Sequence, residues 1–224
     1  KIVNSAQYSL PQKVSNINSA ISLIGLKGIK NLLYSLGTQN VLNKKYKNIE
    51  QLLAHASKTA SFASYIAKEY KKYKILDDVY IGSMLHDIGK IILKNAHPGI
   101  LEKIQEHCSN KEIDSHFIES ITLGISHAKI GAEVSKKWNF PDMIVNQIEF
   151  HHTPLLAPVE YLEMASVTYL ANELADYSAD DKKQYASMEK AILEMYNLDT
   201  IEKFNALHER LNQLYHKQTE DSSG

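Results

Sequence analysis

The sequence has few residues that break helices. It contains nine glycines and five prolines among 224 residues, about half the usual share. Signals for β-strands are also lacking, since no stretch sustains an alternation of apolar and polar residues and no Asn-Gly or Asp-Gly pair marks a hairpin. These absences predict an all-α fold.

Other absences concern the compartment. The single cysteine, Cys108, cannot form an intrachain disulfide or a Cys-rich zinc site. No apolar run approaches the roughly 18 residues that span a bilayer, and no charged-then-apolar signal segment opens the chain. We therefore expect a cytoplasmic protein with no membrane span. Because the sequence begins inside an apparent helix without an initiator methionine, we also expect the true N-terminus to lie upstream of Lys1.

The net charge and the arginine content argue against nucleic acid as a partner. The 25 basic and 26 acidic residues give a net charge of -1, so no bulk field draws the chain to nucleic acid. Arg210 is the only arginine, and arginine is the side chain that reads guanine edges bidentately. Sequence-specific recognition of nucleic acid is therefore not expected.

Apolar residues recur at helical spacing along the whole chain. The pattern predicts helices at about residues 26–43, 48–70, 77–95, 99–107, 112–123, 126–139, 142–152 and 159–177, and two amphipathic helices between 180 and 217. We interpret residues 1–177 as one domain that lacks its start, 178–218 as a helical appendage and 219–224 as a frayed tail. A Lys-Lys-Tyr-Lys tetrapeptide, at 44–47 and again at 71–74, flanks one helix and is interpreted as solvated loop.

The helix over 77–95 is apolar on nearly every side, which is typical of a buried central helix. His86 and Asp87 lie inside it, and burying such a pair is costly unless hydrogen bonds, an opposite charge or a metal compensates. Two explanations stay open from this dipeptide alone. The pair serves a functional site, or Asp87 belongs to a structural network in which it caps a helix or pairs with Lys90.

Further histidines fall in or at the end of separate predicted helices: His55, His127, His151 and His152. Imidazoles from several helices that converge in a bundle are a common way to build a metal site. A bland alternative exists for His55 as the edge of an amphipathic stripe, and for His151 and His152 as cations at a helix C-terminus. Ser126 looks like an N-cap, and the helix dipole there favours a neutral His127 ring.

Taken in order, these residues resemble the HD superfamily of metal-dependent phosphohydrolases, and more closely its bacterial relative, the HDOD family. The matching segments are Asn4-Ser5-Ala6, Ala20-Ile21, Leu23-Ile24-Gly25, His55-Ala56-Ser57, Gly82 to Lys90, Glu119, Gly124, His127 to Ala132, Trp138-Asn139-Phe140-Pro141 and His151-His152. The resemblance covers about residues 1–175. It implies an HD-like helical core, a role in bacterial signal transduction, other signalling proteins as partners and a possible nucleotide ligand.

Two departures from the pattern bear on activity. HD phosphohydrolases close their metal site with an aspartate on a late helix, and the resemblance places Asn172 there. An amide is a weaker oxygen donor for a divalent cation than a carboxylate, and Asp176 could substitute only if the helix shifted. The Gly-Tyr-Pro signature of the related cyclic-dinucleotide phosphodiesterases is absent after His152.

Two hypotheses follow, beside the bland one of a scaffold with a dry histidine network. The first, which Asn172 favours, is a regulatory binding module with a degenerate metal site that binds metal weakly or not at all. The second is a phosphohydrolase in which Fe, Mn or Zn polarises a phosphoryl oxygen and Lys90 steadies the phosphate. The resemblance assigns the ligands as His55, His86 and Asp87, with His127, His151 and His152 at a second position and Asn172 closing the site.

Overall fold

The computed structural model describes residues 46–96, 99, 103–104, 115–178 and 182–221. Within these ranges every regular element is a helix, which confirms the all-α fold class. Expectations for the residues before Tyr46, including the helix over 26–43 and the first basic tetrapeptide up to Lys45, lie outside the described residues. So does most of the helix expected near 99–107.

Ten α-helices lie within the described ranges: α1 (Tyr46–Glu69), α2 (Leu76–Leu85), α3 (Ile88–Ala96), α4 (Ser115–Leu123), α5 (His127–Lys137), α6 (Asp142–Glu149), α7 (Leu162–Asp176), α8 (Lys182–Ser187), α9 (Lys190–Met195) and α10 (Ile201–Asp221). Two 3-10 helices, Tyr73–Ile75 and Pro154–Leu156, lie in connections. None of these described helices has the length and apolar character needed to cross a bilayer. The chain divides into two compact units, a first unit of residues 1–53 and 87–145 and a second unit of residues 54–86 and 146–224.

The continuous helix predicted over 77–95 is wrong, because the chain turns at His86 and Asp87 and forms α2 and α3 instead. The His86 ring donates from Nδ1 to the Ser83 carbonyl at 2.7 Å. The Lys90 N–H donates to the carbonyl of Asp87, three residues earlier. A side-chain hydrogen bond and a backbone bond between residues three apart thus take the place of regular α-helical hydrogen bonds here. Apolar spacing cannot reveal such a break, since both helices stay buried on either side of it.

In the first unit, α3 packs on α5, which also contacts α4. The predicted cap is confirmed, since Ser126 Oγ accepts the Lys129 N–H at 3.3 Å. Gly89 permits the close approach of α3 to α5, because a Cβ at this position would lie 1.9 Å from the His127 carbonyl oxygen. Ala128 and Ala132 on α5 are buried as well. The N-terminus of α5, and His127 with it, is therefore held by backbone proximity.

In the second unit, α7 is buried over most of its length, from Met164 to Ala175, and packs against α2. On α1, Ala56, Ala60, Ala63 and Ala67 are buried as well. Gln147 on α6 is fully buried and donates to the Val79 carbonyl at 3.0 Å and to Thr168 Oγ1 at 2.5 Å. Gly82 leaves the space for this amide, since a Cβ there would lie 2.0 Å from Gln147 Oε1.

The C-terminal region differs in detail from the prediction of two helices. It contains α8, α9 and α10, because the backbone is extended at Glu189 and the Glu189 N–H donates to the Tyr169 hydroxyl at 2.9 Å. Helix α10 continues to Asp221, past the predicted end near 217. The buried residues on its apolar face are Phe204, Leu207 and Leu211.

Candidate metal centre

The second unit gathers three of the candidate histidines into one cluster. His55 lies on α1, His86 follows the end of α2, and His151 follows the end of α6. The ring centroids of His55 and His86 are 5.2 Å apart, and those of His86 and His151 are 4.9 Å apart. His86 and His151 are fully buried. Three imidazoles from different helices therefore meet in this unit.

Two of these rings have a defined tautomer. His86 Nδ1 lies 2.7 Å from the Ser83 carbonyl, and His151 Nδ1 lies 2.7 Å from the Ile148 carbonyl. A carbonyl oxygen can only accept, so Nδ1 carries the proton in both rings. In its neutral form, each ring then presents the Nε2 lone pair, the form in which imidazole binds a metal. In both cases the carbonyl belongs to the residue three positions earlier.

His55 is held on both sides by α7. Its Nδ1 lies 2.9 Å from the Asp176 carboxylate and its Nε2 lies 2.9 Å from the Asn172 oxygen. The two acceptors are four residues apart, so they lie on one face of α7, one turn from each other. Asp176 favours a proton on Nδ1 and so orients the ring, whereas Asn172 lies beside the nitrogen that would bind a metal. Asp176 needs no helix shift to reach His55, but it meets the nitrogen opposite to Asn172.

His152 is half-buried, and its ring centroid is 4.2 Å from that of His151. One ring nitrogen of His151 lies within 4.8 Å of one of His152, and the same holds for His55 and His86. Five residues named by the sequence pattern thus belong to the second unit: His55, His86, His151, His152 and Asn172.

The remaining candidates form a network in the first unit. Asp87 directly follows His86, and the peptide bond between them is where the chain passes from the second unit to the first. The Lys90 ammonium lies 2.8 Å from Asp87 Oδ2, and His127 Nε2 lies 3.2 Å from Asp87 Oδ1. Of the two explanations left open for Asp87, the pairing with Lys90 is therefore present.

Glu119 completes this network, a residue that the family pattern includes but that the sequence assigned no role. One carboxylate oxygen of Glu119 accepts the backbone N–H of His127 at 2.7 Å and lies 2.6 Å from His127 Nδ1. Glu119 and His127 are both buried. The carboxylate thus caps the first turn of α5 and orients the imidazole. The signal available in the sequence was the place of Glu119 in the family pattern, eight residues before His127.

The neutral His127 ring predicted from the helix dipole is not what the environment favours. Burial and the nearby Lys90 charge lower the pKa of His127, but hydrogen bonds to Asp87 and Glu119 outweigh them and raise it. Burial also acts to raise the pKa of Glu119, yet its hydrogen bonds and proximity to His127 lower it overall. The carboxylates of Asp87 and Glu119 thus have a larger effect on the pKa of His127 than the helix dipole. Apolar periodicity in the sequence cannot show that they lie beside the ring.

The residues of the second unit suit a first-row transition metal. Neutral imidazole nitrogens are the preferred protein ligands of zinc, iron and similar ions, and an amide oxygen is a permissible further donor. The hydrogen bonds on Nδ1 of His55, His86 and His151 are of the kind that orient metal-binding histidines. The donor set therefore fits the metals that the sequence pattern implies.

Comparison with known proteins identifies relatives of this chain. The chain is 32% identical over 200 residues to an uncharacterized protein of Treponema pallidum. The matched segment is 89% of this chain but only 39% of that protein. Two solved structures share the fold. One is a candidate phosphohydrolase of Shewanella amazonensis, with 19% identity, a TM-score of 0.60 and coverage of 90% of this chain and 74% of the other.

The second structure is a candidate signal transduction protein of Marinobacter aquaeolei, with 18% identity and a TM-score of 0.63. The match covers 97% of this chain and 49% of the Marinobacter aquaeolei chain. The family model described as the HDOD domain matches residues 1–154, which contain all the candidate site residues except Asn172. The chain is therefore a member of the HDOD family.

Proposed function

We propose that this chain is a regulatory HDOD module of bacterial signal transduction that binds a divalent transition metal without efficient phosphoester hydrolysis. The observation that carries the proposal is the contact of His55 Nε2 with the neutral Asn172 amide at 2.9 Å. HD phosphohydrolases, which this chain resembles, have a carboxylate at that position. In this role the module acts in the cytoplasm and answers to other signalling proteins.

Metal binding is supported by the preset tautomers. Of the ligands that the resemblance implies, we propose those of the second unit: His55, His86, His151, His152 and Asn172. Hydrogen bonds on Nδ1 reduce the conformational freedom that each histidine loses on binding. They also keep Nε2 available as a lone pair at His86 and His151. We therefore expect Fe, Mn or Zn to bind, more weakly than in a site closed by a carboxylate.

Weak turnover is supported by the two groups on which a phosphoryl reaction would depend. Asp87 is engaged through one oxygen by Lys90 and through the other by His127. Lys90, the candidate phosphate-binding residue, is thereby paired within the first unit. A substrate phosphate would have to compete with this ion pair, which is largely shielded from water and hence strong.

A second candidate function, a metal-dependent phosphohydrolase, is favoured by the presence of the His86-Asp87 pair with Lys90 one turn later. It is consistent with the name of the Shewanella amazonensis protein. A bound metal would supply Lewis-acid polarisation of the phosphoryl group and a more acidic water. On this candidate, Lys90 would leave Asp87 when substrate arrives.

The test combines metal analysis with an activity assay on one set of variants. Parent protein, His86→Ala and the control His216→Ala, an exposed histidine on α10, are purified without chelator and analysed for Fe, Mn and Zn. We expect metal in the parent and the control and little in His86→Ala. Metal that is absent from all three would contradict the metal-binding part of the proposal and favour the dry scaffold.

Activity is then measured on cyclic di-GMP and on bis-p-nitrophenyl phosphate with added Mn or Fe. We expect turnover far below the ordinary enzyme range of about 1 per second or faster. Turnover within that range that is abolished by Asp87→Ala would establish the phosphohydrolase instead. Asn172→Asp serves as the matched variant, and we expect it to tighten metal binding by about 10 to 100-fold through the restored carboxylate.

A further inference from the structure

One cleft in the described part of the protein is lined by none of the candidate metal ligands. It lies within the second unit, between the C-terminal end of α1 with the turn that follows and one face of α10. Its volume is about 510 Å³, within the roughly 300 to 1,000 Å³ typical of small-molecule sites. The size therefore permits a ligand larger than an ion.

The floor of this cleft is apolar. Leu207, Leu211 and Leu214 line it from α10, at spacings of four and three residues that align them on one face of the helix. Leu207 and Leu211 are buried, whereas Leu214 is 40% exposed. A ring or another apolar body could be buried on these side chains.

Two tyrosines add aromatic surface. Tyr65 on α1 places its hydroxyl 3.3 Å from the Leu214 carbonyl oxygen and 3.0 Å from Gln218 Oε1, and either oxygen can accept its one proton. Tyr73 is 64% exposed, which is unusual for so large an amphipathic side chain. Rigid aromatic rings of this kind contribute stacking with little loss of conformational entropy.

The rim is positively charged. Lys68, Lys71 and Arg210 line the cleft with a single carboxylate, Glu69. That carboxylate is already paired with Arg210 at 2.7 Å. Among the described residues neither Lys68 nor Lys71 has a carboxylate in ion-pair distance, so two positive charges face the cleft uncompensated. The one arginine of the chain is among these residues.

The local backbone explains why part of the Lys-Lys-Tyr-Lys segment lines the cleft. Lys71, two residues past the end of α1, adopts a left-handed conformation with φ of 56°. Lys72 pairs with Glu163 and lies over the Tyr196 ring, while Lys71 and Tyr73 line the cleft. The interpretation of residues 71–74 as a plain solvated loop is therefore wrong for Lys72, which has partners of its own.

We propose that this cleft binds a nucleoside phosphate. Lysine and arginine side chains recognise the phosphate group, and the tyrosines with the leucine floor accept the base, since aromatic stacking suits any base. A divalent cation is excluded by the positive rim. The limited volume argues against a folded partner. The proposal does not depend on the metal centre and stands if that centre proves dry.

The test is isothermal titration calorimetry on the full chain, with EDTA present so that binding at the histidines does not contribute. The probes are ADP, AMP, adenosine and pyrophosphate. We expect ADP to bind more tightly than AMP, and both more tightly than adenosine or pyrophosphate alone. The double variant Lys68→Glu/Lys71→Glu should weaken ADP binding by about tenfold or more, through lost and reversed charge.

Two further variants separate the contributions. Tyr73→Ser should weaken ADP and leave pyrophosphate unchanged, because it removes only stacking. Lys137→Glu, which makes one such charge reversal at an exposed lysine of α5, should leave ADP binding unchanged. The proposal is overturned if none of the probes binds at millimolar concentration, if the double variant binds ADP like the parent, or if pyrophosphate binds as tightly as ADP.

Discussion

Two buried histidines of the second unit, His86 and His151, are held by a different kind of partner from His127 of the first. In the second unit, Nδ1 of His86 and of His151 faces a neutral backbone carbonyl. In the first unit, His127 has a carboxylate at each ring nitrogen, Glu119 on Nδ1 and Asp87 on Nε2. A neutral acceptor selects a tautomer, whereas two carboxylates select the charged ring.

This difference separates two roles that the sequence pattern presents as one ligand series. In their neutral form, the rings fixed by carbonyls offer the Nε2 lone pair, which suits metal binding. The His127 ring forms part of a charged network that secures the start of α5. A metal at His127 would have to displace a proton that Asp87 and Glu119 favour, so we expect the first network to contribute mainly to folding.

The largest expected effect concerns the packing that supports the first network. Gly89→Ala places a Cβ 1.9 Å from the His127 carbonyl oxygen and 3.0 Å from the Gly131 nitrogen. Backbone atoms cannot move aside easily, so we expect a loss of about 3 kcal/mol or more in the free energy of unfolding. Urea denaturation measures it.

The matched variant in the second unit is Gly82→Ala, where the new Cβ meets the end of the Gln147 side chain. That side chain can shift at the cost of its hydrogen bonds, so the expected loss is about 1 to 2 kcal/mol. Equal losses for the two variants would show that the backbone approach at Gly89 is no more constrained than the side-chain contact at Gly82.

The next effect is that of His86→Ala. The ring is buried and its carbonyl partner would be left unpaired, so we expect a cost of about 2 to 4 kcal/mol even in chelator. A metal at about 100 times its Kd should add about 2.7 kcal/mol to the parent and nothing to the variant. Equal denaturation midpoints of metal-free parent and variant would mean that the site is wetter than its burial implies.

For the first network the corresponding variant is Glu119→Gln. It keeps the shape but removes the charge that holds His127, and we expect a loss of about 2 kcal/mol that metal does not alter. Thermal or urea unfolding with and without added Mn checks the second part. A strong metal dependence of this loss would place His127 among the ligands rather than in a structural network.

The same variant should show a defined pH dependence. The pKa of Glu119 is lowered from 4.5, so its contribution is present above that value and is lost as the pH falls through the lower folded pKa. The pKa of His127 is raised from 6.5, so its contribution is present below that value and is lost as the pH rises through the higher folded pKa. The stability difference between parent and Glu119→Gln should therefore be greatest between about pH 4.5 and 6.5.

The smallest effect is expected from Asp176→Asn. This carboxylate orients His55 from the side opposite to the proposed metal, so its loss should weaken metal binding by about tenfold. Because the Asp176 side chain is 69% exposed, we expect little change in stability. Glu209→Gln, an equivalent change at an exposed position of α10, is the control. An unchanged affinity in Asp176→Asn would mean that Asn172 alone positions His55.

Much of the fold followed from local pattern. The scarcity of glycine and proline and the helical spacing of apolar residues predicted an all-α chain, and the Ser126 cap was found where the sequence placed it. The burial of His86 and Asp87 was also predicted from their apolar neighbours. Helix ends were less predictable. At the turn the His86 side chain bonds the Ser83 carbonyl, a contact that has no counterpart in an apolar pattern.

The family and the set of candidate ligands were determined by the sequence alone, because residue types and their order carry that information without any distance. Only the tertiary structure decided which nitrogen of His55 faces Asn172 and which faces Asp176, and that His127 lies between two carboxylates. The contacts join residues between 8 and 121 positions apart. Such pairings depend on helix packing and rotation, which periodicity along one helix cannot specify.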